Sequence, residues 1–317
     1  LAEYHSLDII PSLFIDACCP ITTHYDILYN RALETFKGNN RNGSCGVGFG
    51  ATIERHFNRK IEFTFQDLQN SDKVNEKLEM IRKYYRNKIN SETNFDFNDF
   101  KHDQADKDFI NDLTELAALK DRDVIRIVKE ADIFNCTNWE TYIFEGAQGI
   151  LLDRSFGIYP HITKSNTSSK NAIEILNRNF PLGSTRPEIN IHYISRMYLT
   201  RHGAGPFPTS PKILDLINIT NETNTYNDYQ GYFRIGCLNI DLLNSALEWD
   251  SQFSTGIHKH IIFTCLDQIP GLTLPVYQNN QVSEIEHDEI PVLLKHKFKT
   301  INYSFDPAMI NIRPQRD

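Results

Sequence analysis

Apolar runs that stop in a polar cluster are the feature that most narrows what this chain can fold into. Glu140–Phe144 (ETYIF) runs into Glu145-Gly146-Ala147-Gln148-Gly149, Asn190–Thr200 into Arg201–Gly205, and His260–Thr264 (HIIFT) into Cys265-Leu266-Asp267. Such β-rich runs predict strands. The continuous apolar character of His260–Thr264 suits a strand covered on both faces, as at the centre of a parallel sheet. Ser12–Asp16 predicts a further short buried strand. Between the runs the period changes to that of a helix. Tyr25, Leu28, Tyr29, Ala32, Leu33 and Phe36 share one helical face, with Gly38 to end it, and Val74, Leu78, Ile81 and Tyr85 share another within Phe65–Ile89. Helices are also predicted over Phe109–Leu119, Val124–Ile133, Ala172–Leu176, Lys212–Ile217 and Ile240–Leu247, and Asn90–Asp108 reads as an exposed connection. Strands alternating with helices predict an α/β fold: a large, mainly parallel β-sheet flanked by helices.

Composition limits function more than fold. With 317 residues, 40% of them hydrophobic and 23% charged, the chain has material for a real core. A net charge of −8 argues against a general nucleic-acid or membrane-surface binder, while leaving room for a local basic pocket. No apolar run approaches the ~20 residues of a membrane span. The six cysteines show no CxxC or CxxxH spacing, so a reducing, cytoplasmic setting is expected and no metal ligand is assigned. The first residue is Leu1 rather than Met, and Leu1–Ile10 lacks the pattern of a signal peptide.

Ligands of open parallel sheets bind outside the carboxyl ends of the strands, which is where the polar clusters fall. Gly43-Ser44-Cys45-Gly46-Val47-Gly48-Phe49-Gly50 alternates glycines that let backbone N–H groups converge on an anion, with the Ser44 hydroxyl as a further donor and a helix expected to begin near Ala51. A flexible surface loop is the competing reading. In Glu145–Asp153 (EGAQGILLD), small residues flank Gln148, whose amide can donate and accept toward a purine edge; a tight strand-to-helix turn is the alternative. Tyr159–Thr167 (YPHITKSNT) offers Thr163, Lys164 and neighbouring hydroxyls, or simply a helix N-cap. Asp267 can accept two hydrogen bonds from guanine, or serve as a turn residue. His258 and His260 have weak metal spacing, and no H-E-x-x-H, G-x-S-x-G or Walker A pattern occurs.

The order of these clusters, Gly43–Gly50, Phe144–Asp153 (FEGAQGILLD), Tyr159–Thr167, Arg201–Thr209 (RHGAGPFPT) and Thr264–Asp267 (TCLD), resembles the adenylosuccinate synthetase family, and the likeness runs from Leu13 almost to the C-terminus. The resemblance implies one family domain over residues 1–317, with a helical insertion region at 60–135. It implies a ligase that joins inosine monophosphate to aspartate: GTP phosphorylates the purine 6-oxygen and the aspartate amine then displaces the phosphate, with magnesium as cofactor. Ser44 and Cys45 fall where the family has two phosphate-holding threonines. Gln148 and Thr163 fall on nucleotide-contacting positions. Arg59 matches an arginine that reaches the partner subunit's nucleotide site, so a homodimer is implied. Cys265, Asp267 and Ser304 fall on the guanine site, and Arg234 on the aspartate site.

Departures from the family pattern alter the expectation. The 317 residues contain no GDEGKGK run, which in the family carries the catalytic aspartate and a magnesium ligand, and no catalytic residue is assigned. In Tyr229–Asn239 (YQGYFRIGCLN) only Arg234 remains of an arginine-rich stretch. Cys45 and Cys265 put a thiol, a weak donor, at positions of expected nucleotide contact. The chain is expected to be inactive by itself. The open alternatives are a non-catalytic purine-nucleotide-binding relative, acting in sensing or assembly, and a ligase of the same chemistry with another amino acid or purine.

Overall fold

The computed structural model describes residues 6–9, 11–58, 61–121, 124–135, 139–181, 185–209, 214–219, 222–306 and 312–314. The chain divides into two compact units, Leu1–Ile143 and Phe144–Asp317.

In the first unit, β1 (Leu13–Asp16) pairs in parallel with β2 (Ile125–Val128), Leu13 lying opposite Ile125. Between them come α1 (His24–Lys37), α2 (Phe49–Ile53), α3 (Ser71–Glu92) and α4 (His102–Asp121), and α5 (Glu130–Phe134) follows β2. Thr23 starts α1: its hydroxyl and amide exchange hydrogen bonds with Asp26 in a capping box, and Gly38 ends the helix with φ +51°. Val74, Leu78, Ile81, Tyr85 and Ile89 form one buried stripe of α3 and pack with Tyr25, Leu28 and Tyr29 of α1. Inside this core Arg55 and Asp26 form a fully buried ion pair, Nε–Oδ1 2.9 Å. Tyr85 donates to Asp26 Oδ1 (2.7 Å), and the remaining guanidinium donors reach the Ile21 and Ile61 carbonyls, both at 2.8 Å. Burying such charges is tolerable because each has its hydrogen-bond partners.

Three expectations for this unit need correction. Val124–Ile133 is not one helix but β2 followed by α5, because pairing with β1 favours an extended conformation that the local periodicity did not reveal. Phe65–Ile89 is interrupted: a 3-10 turn at Phe65–Gln69 ends at Asn70, whose side chain accepts the amides of Asp72 and Lys73 and starts α3 afresh. Asn90–Asp108 is not merely an exposed connection. Its polar composition masks Phe97, which is buried and stacks against Tyr25 and His102.

The second unit contains α6 (Lys170–Asn179), β3 (Asn190–Arg196), β4 (Tyr198–His202), β5 (Phe233–Asn239), α7 (Ile240–Ser251), β6 (His258–Thr264), β7 (Thr273–Gln278), β8 (Gln281–Glu286), α8 (Ile290–Leu293), β9 (Thr300–Ser304) and β10 (Ile312–Pro314). One sheet runs β10-β9-β6-β3, with β3, β6 and β9 mutually parallel; a second runs β4-β5-β7-β8. Their apolar faces contribute Met197, Leu238, Ile261, Phe263, Val276 and Tyr303 to one core, with Ile240 of α7 and Ile290 of α8. Asn190–Thr200, expected as one strand, is split at Met197 because the chain passes from one sheet into the other. Glu140–Phe144 forms no strand: among the described residues no strand pairs with it, and Ile143 is 89% exposed. Of Lys212–Ile217, residues 212 and 213 lie outside the described residues, and 214–217 form no helix, Ile217 donating its amide to the Gln268 carbonyl instead.

The architecture is α/β with mainly parallel strand pairing. Parallel register joins β1–β2, β3–β6, β6–β9 and β5–β7, and helices flank the sheets. Among the described residues no helix is long and apolar enough to cross a membrane.

Candidate functional site

The glycine-rich loop lies against α1 in the first unit. Its Gly48 has φ +83°, and a Cβ there would stand 2.8 Å from the Ile27 backbone nitrogen, so only glycine fits this close approach. The Gly43 amide donates to Glu34 Oε2 (3.1 Å), the Gly46 amide to Ser44 Oγ (3.3 Å) and the Gly48 amide to Asn30 Oδ1 (3.1 Å). The Ser44 hydroxyl also donates to Asn30 Oδ1, at 2.9 Å. The glycine amides expected to converge on a ligand anion are thus satisfied within the protein. The helix expected near Ala51 starts at Phe49 and lasts five residues before widening into a π turn at Glu54–Asn58. Ser44 is half-buried and Cys45 exposed. Arg59 lies outside the described residues.

In the second unit the EGAQGILLD and YPHITKSNT segments come together. Asp153 is fully buried, and its carboxylate accepts the Ser155 amide (2.8 Å) and the Thr167 amide (2.6 Å). The Thr163 amide donates to the Leu152 carbonyl at 2.8 Å and the Thr167 hydroxyl to the Gly149 carbonyl at 2.9 Å. Gln148, next to Gly149 in the chain, is exposed and has φ +69°. A non-glycine residue held there carries local strain, and strain of this kind concentrates at ligand sites. Thr163 is half-buried.

Arg234 on β5 lies opposite Arg201 on β4. Arg234 Nη2 donates to the carbonyls of Gly203 (2.6 Å) and Gly205 (2.9 Å), and its guanidinium lies 5.0 Å from the Phe207 ring centre. Its Nε is buried and has no acceptor among the described residues. Arg201 donates to the Ala204 carbonyl (2.9 Å) and to the His161 carbonyl (3.1 Å), tying the RHGAGPFPT loop to YPHITKSNT. Burial lowers the pKa of both guanidinium groups, and for Arg201 the charge of Arg234 adds to the effect. Arg201 was not singled out as a site residue; its place in a strand-to-loop motif was the available signal.

The parallel register of β3, β6 and β9 gathers a third group at their carboxyl ends. Arg196 lies opposite Thr264, and Phe263 opposite Tyr303, so Cys265, Asp267 and Ser304 follow from neighbouring strands. Cys265 is left-handed (φ +64°), which turns the chain into the short 3-10 segment Leu266–Gln268. The Asp267 carbonyl accepts from Asn218 Nδ2 (3.1 Å), and the Ser304 hydroxyl donates to the Asp306 carbonyl (3.0 Å). Arg196 Nη1 contacts Glu222 (2.6 Å) and the Tyr198 hydroxyl (3.0 Å), and that hydroxyl also bonds Gln268. Burial, and next the neighbouring Cys265 thiol, push Tyr198 up to about 12. Arg196, Tyr198, Glu222 and Gln268 escaped the sequence reading because no motif joins them; the register of β3 and β6 brings Arg196 near Gln268, and Glu222 reaches Arg196 from a loop.

The adenylosuccinate synthetase family model matches residues 2–297. The chain belongs to the adenylosuccinate synthetase family. Among its relatives, the adenylosuccinate synthetase of Thermosipho africanus is 31% identical over 202 residues, covering 63% of this chain and 44% of the relative. That of Edwardsiella ictaluri is 31% identical over 212 residues, covering 65% and 45%, and that of Buchnera aphidicola 32% over 200 residues, covering 62% and 43%. The chain spans a little under half the length of these relatives. A solved structure, the fully ligated adenylosuccinate synthetase from Plasmodium falciparum, superposes with a TM-score of 0.66 at 16% identity, covering 99% of this chain and 82% of that one, which supports the shared fold.

Adenylosuccinate synthetases imply magnesium. Among the described residues no group of three or more His, Cys, Asp or Glu side chains is placed to hold a metal ion.

Proposed function

We propose that this chain is an adenylosuccinate synthetase-like purine-nucleotide ligase component, for the reaction of inosine monophosphate, aspartate and GTP to adenylosuccinate, GDP and phosphate. The observation that carries the reading is the register of β3, β6 and β9, which brings Cys265, Asp267 and Ser304 to the carboxyl ends of neighbouring strands. In this reading the Asp267 carboxylate accepts the N1–H and 2-amino hydrogens of guanine, and Ser304 closes the site. Gln148 and Thr163 are read as nucleotide contacts, Ser44 and Cys45 as phosphate contacts, and the buried Nε of Arg234 as a donor for an aspartate carboxylate. The two compact units belong to one family domain, with residues 60–135 as a helical insertion. Arg59 completes the site of a second copy in a cytoplasmic homodimer.

The chain alone is expected to bind nucleotide and not to turn it over. Thiols at Cys45 and Cys265 weaken two contacts, and the Gly231–Phe233 stretch offers no guanidinium. Calorimetric titration with inosine monophosphate and with GTP tests the first statement; absence of heat with both overturns it. Adenylosuccinate formed from inosine monophosphate, GTP, magnesium and aspartate overturns the second.

One observation favours a second reading, a non-catalytic purine-nucleotide-binding relative. Loop amides and the Arg234 Nη2 that a substrate anion would use are already engaged by the protein itself. Binding without turnover in the complete assembled enzyme selects that reading. Turnover with a different amino acid or purine in a substrate panel selects a ligase of altered specificity.

A further inference from the structure

Two polar side chains one turn apart on α1, Asn30 and Glu34, grip the glycine-rich loop. Glu34 is only 3% exposed. Its carboxylate accepts the Gly43 amide at 3.1 Å, and the amides of Asn42 and Ser44 are directed at it as well. Successive backbone N–H groups that converge in this way form an anion cradle. The anion in this cradle is a carboxylate of the chain itself. Asn30 Oδ1 takes the Ser44 hydroxyl (2.9 Å) and the Gly48 amide (3.1 Å), and Arg31 Nε donates to the Gly46 carbonyl at 3.0 Å. The loop is therefore shaped from α1 at both ends, leaving Cys45 and Val47 exposed between the grips.

We propose that Glu34, assisted by Asn30, is the positioning residue of this loop: it fixes the conformation in which Ser44 and Cys45 meet the phosphate of a purine nucleotide. The charge matters, because a carboxylate accepting several N–H groups holds them about twice as strongly as a neutral acceptor. An amide in its place keeps one oxygen and loses the second. Glu34 itself does not touch the ligand in this scheme. Its oxygens are turned to the loop amides, so a ligand phosphate approaches from the exposed side at Ser44–Cys45. The inference rests on the reading of the loop as a phosphate contact.

The test compares binding of inosine monophosphate with binding of inosine, which lacks the phosphate, by calorimetry on the full chain. Hydrogen exchange of the Asn42–Ser44 amides is followed in parallel. In the wild type the monophosphate is expected to bind more tightly and these amides to be protected. Glu34→Ala is expected to cut the monophosphate-over-inosine ratio about tenfold and to release the protection, with inosine affinity unchanged. Glu34→Gln, which keeps the side-chain shape, is expected to cut the ratio about threefold and so remains informative should the alanine variant fail to fold. A merely structural role would move both ligands together. A phosphate preference in the wild type that both variants leave intact overturns this inference alone. Equal binding of the nucleoside and its monophosphate by the wild type overturns the phosphate reading and this inference with it.

Discussion

Two loops of this chain look alike in sequence and differ in how they are held. Gly43–Gly50 and Glu145–Gly149 are both runs of small residues around a polar side chain. In the first, the amides of Gly43, Gly46 and Gly48 all have acceptors inside the protein, and Gly48 is wedged against the backbone of α1. In the second, Gly146 and Gly149 have open space where a side chain would begin, and Gln148 is exposed in a strained conformation. Each region nonetheless contains a buried carboxylate. Glu34 takes amides of the first loop itself. Asp153 takes amides from the residues behind the second, Ser155 and Thr167. The lesson is that glycine spacing reports where backbone can approach something closely. It does not report whether that something is a ligand or the protein's own helix.

Glycine replacement should break the resemblance between the loops most sharply. Gly48→Ala puts a Cβ 2.8 Å from Ile27 N and 2.9 Å from the Asp26 carbonyl carbon, against backbone that cannot swing away. With the cost of φ +83° added, a loss of about 3 kcal/mol in urea unfolding is expected. Gly146→Ala meets no atom within 4 Å and should stay within about 0.5 kcal/mol of the wild type. Equal losses at the two positions would erase the distinction.

Asp153 supplies the next test. Removing its carboxylate leaves the Ser155 and Thr167 amides without their acceptor, and Asp153→Ala should cost about 2–3 kcal/mol. Asp153→Asn should recover part of this, since an amide oxygen still accepts. Nucleotide affinity should fall along with stability, because the same bonds align the segments that carry Gln148 and Thr163. A destabilised Asp153→Ala chain with unaltered affinity would separate the scaffold from the site.

How much of this was legible in the sequence depended on what each segment leans on. Tyr25–Phe36 carries its own period and its own terminator, and α1 forms within a residue or two of the expected bounds. His260–Thr264 is apolar on both faces and becomes the interior strand β6. Val124–Ile133 and Glu140–Phe144 are equally rich in apolar residues, yet the first gains a strand from pairing with β1 and the second gains none. Pairing is a property of distant segments and leaves no local mark. The site divides the same way. Its motifs were visible as motifs, but the grip of Glu34 and Asn30 on the loop, and of Arg201 on His161, depends on which atoms face each other after folding. Arg196, Tyr198 and Gln268 meet because the parallel register aligns two strand ends, and Glu222 joins them from a loop.

Gln148 sharpens the functional side of the comparison, with a smaller effect. Gln148→Gly removes the strain of φ +69° while adding chain entropy to the unfolded state, so stability should be unchanged or raised by about 0.5 kcal/mol. If the amide contacts a purine edge, nucleotide affinity should drop about tenfold in the same variant. Better folding with poorer binding is the signature of strain kept for a ligand. Unchanged affinity in calorimetry would make Gln148 an ordinary turn residue.

The smallest expected effect concerns the carboxylate under the first loop. Burial raises the pKa of Glu34, while the amides of Gly43, Ser44 and Asn42 and the charge of Lys37 oppose the rise without cancelling it. Ionisation of Glu34 is then costlier in the folded chain than in the unfolded one. Its contribution to stability is fully present below the unfolded carboxylate pKa and is lost as pH rises through the higher folded value. Glu34→Gln does not titrate and serves as the reference. Between about pH 7 and about pH 4 the wild type should gain melting temperature relative to Glu34→Gln, on the order of 2 °C. A difference between wild type and Glu34→Gln that stays flat, or that shrinks toward acid, would mean the loop amides outweigh burial at Glu34. The first loop would then hold its carboxylate as a fully stabilised anion, and the contrast between the two loops would rest on Gly48 and Gln148 alone.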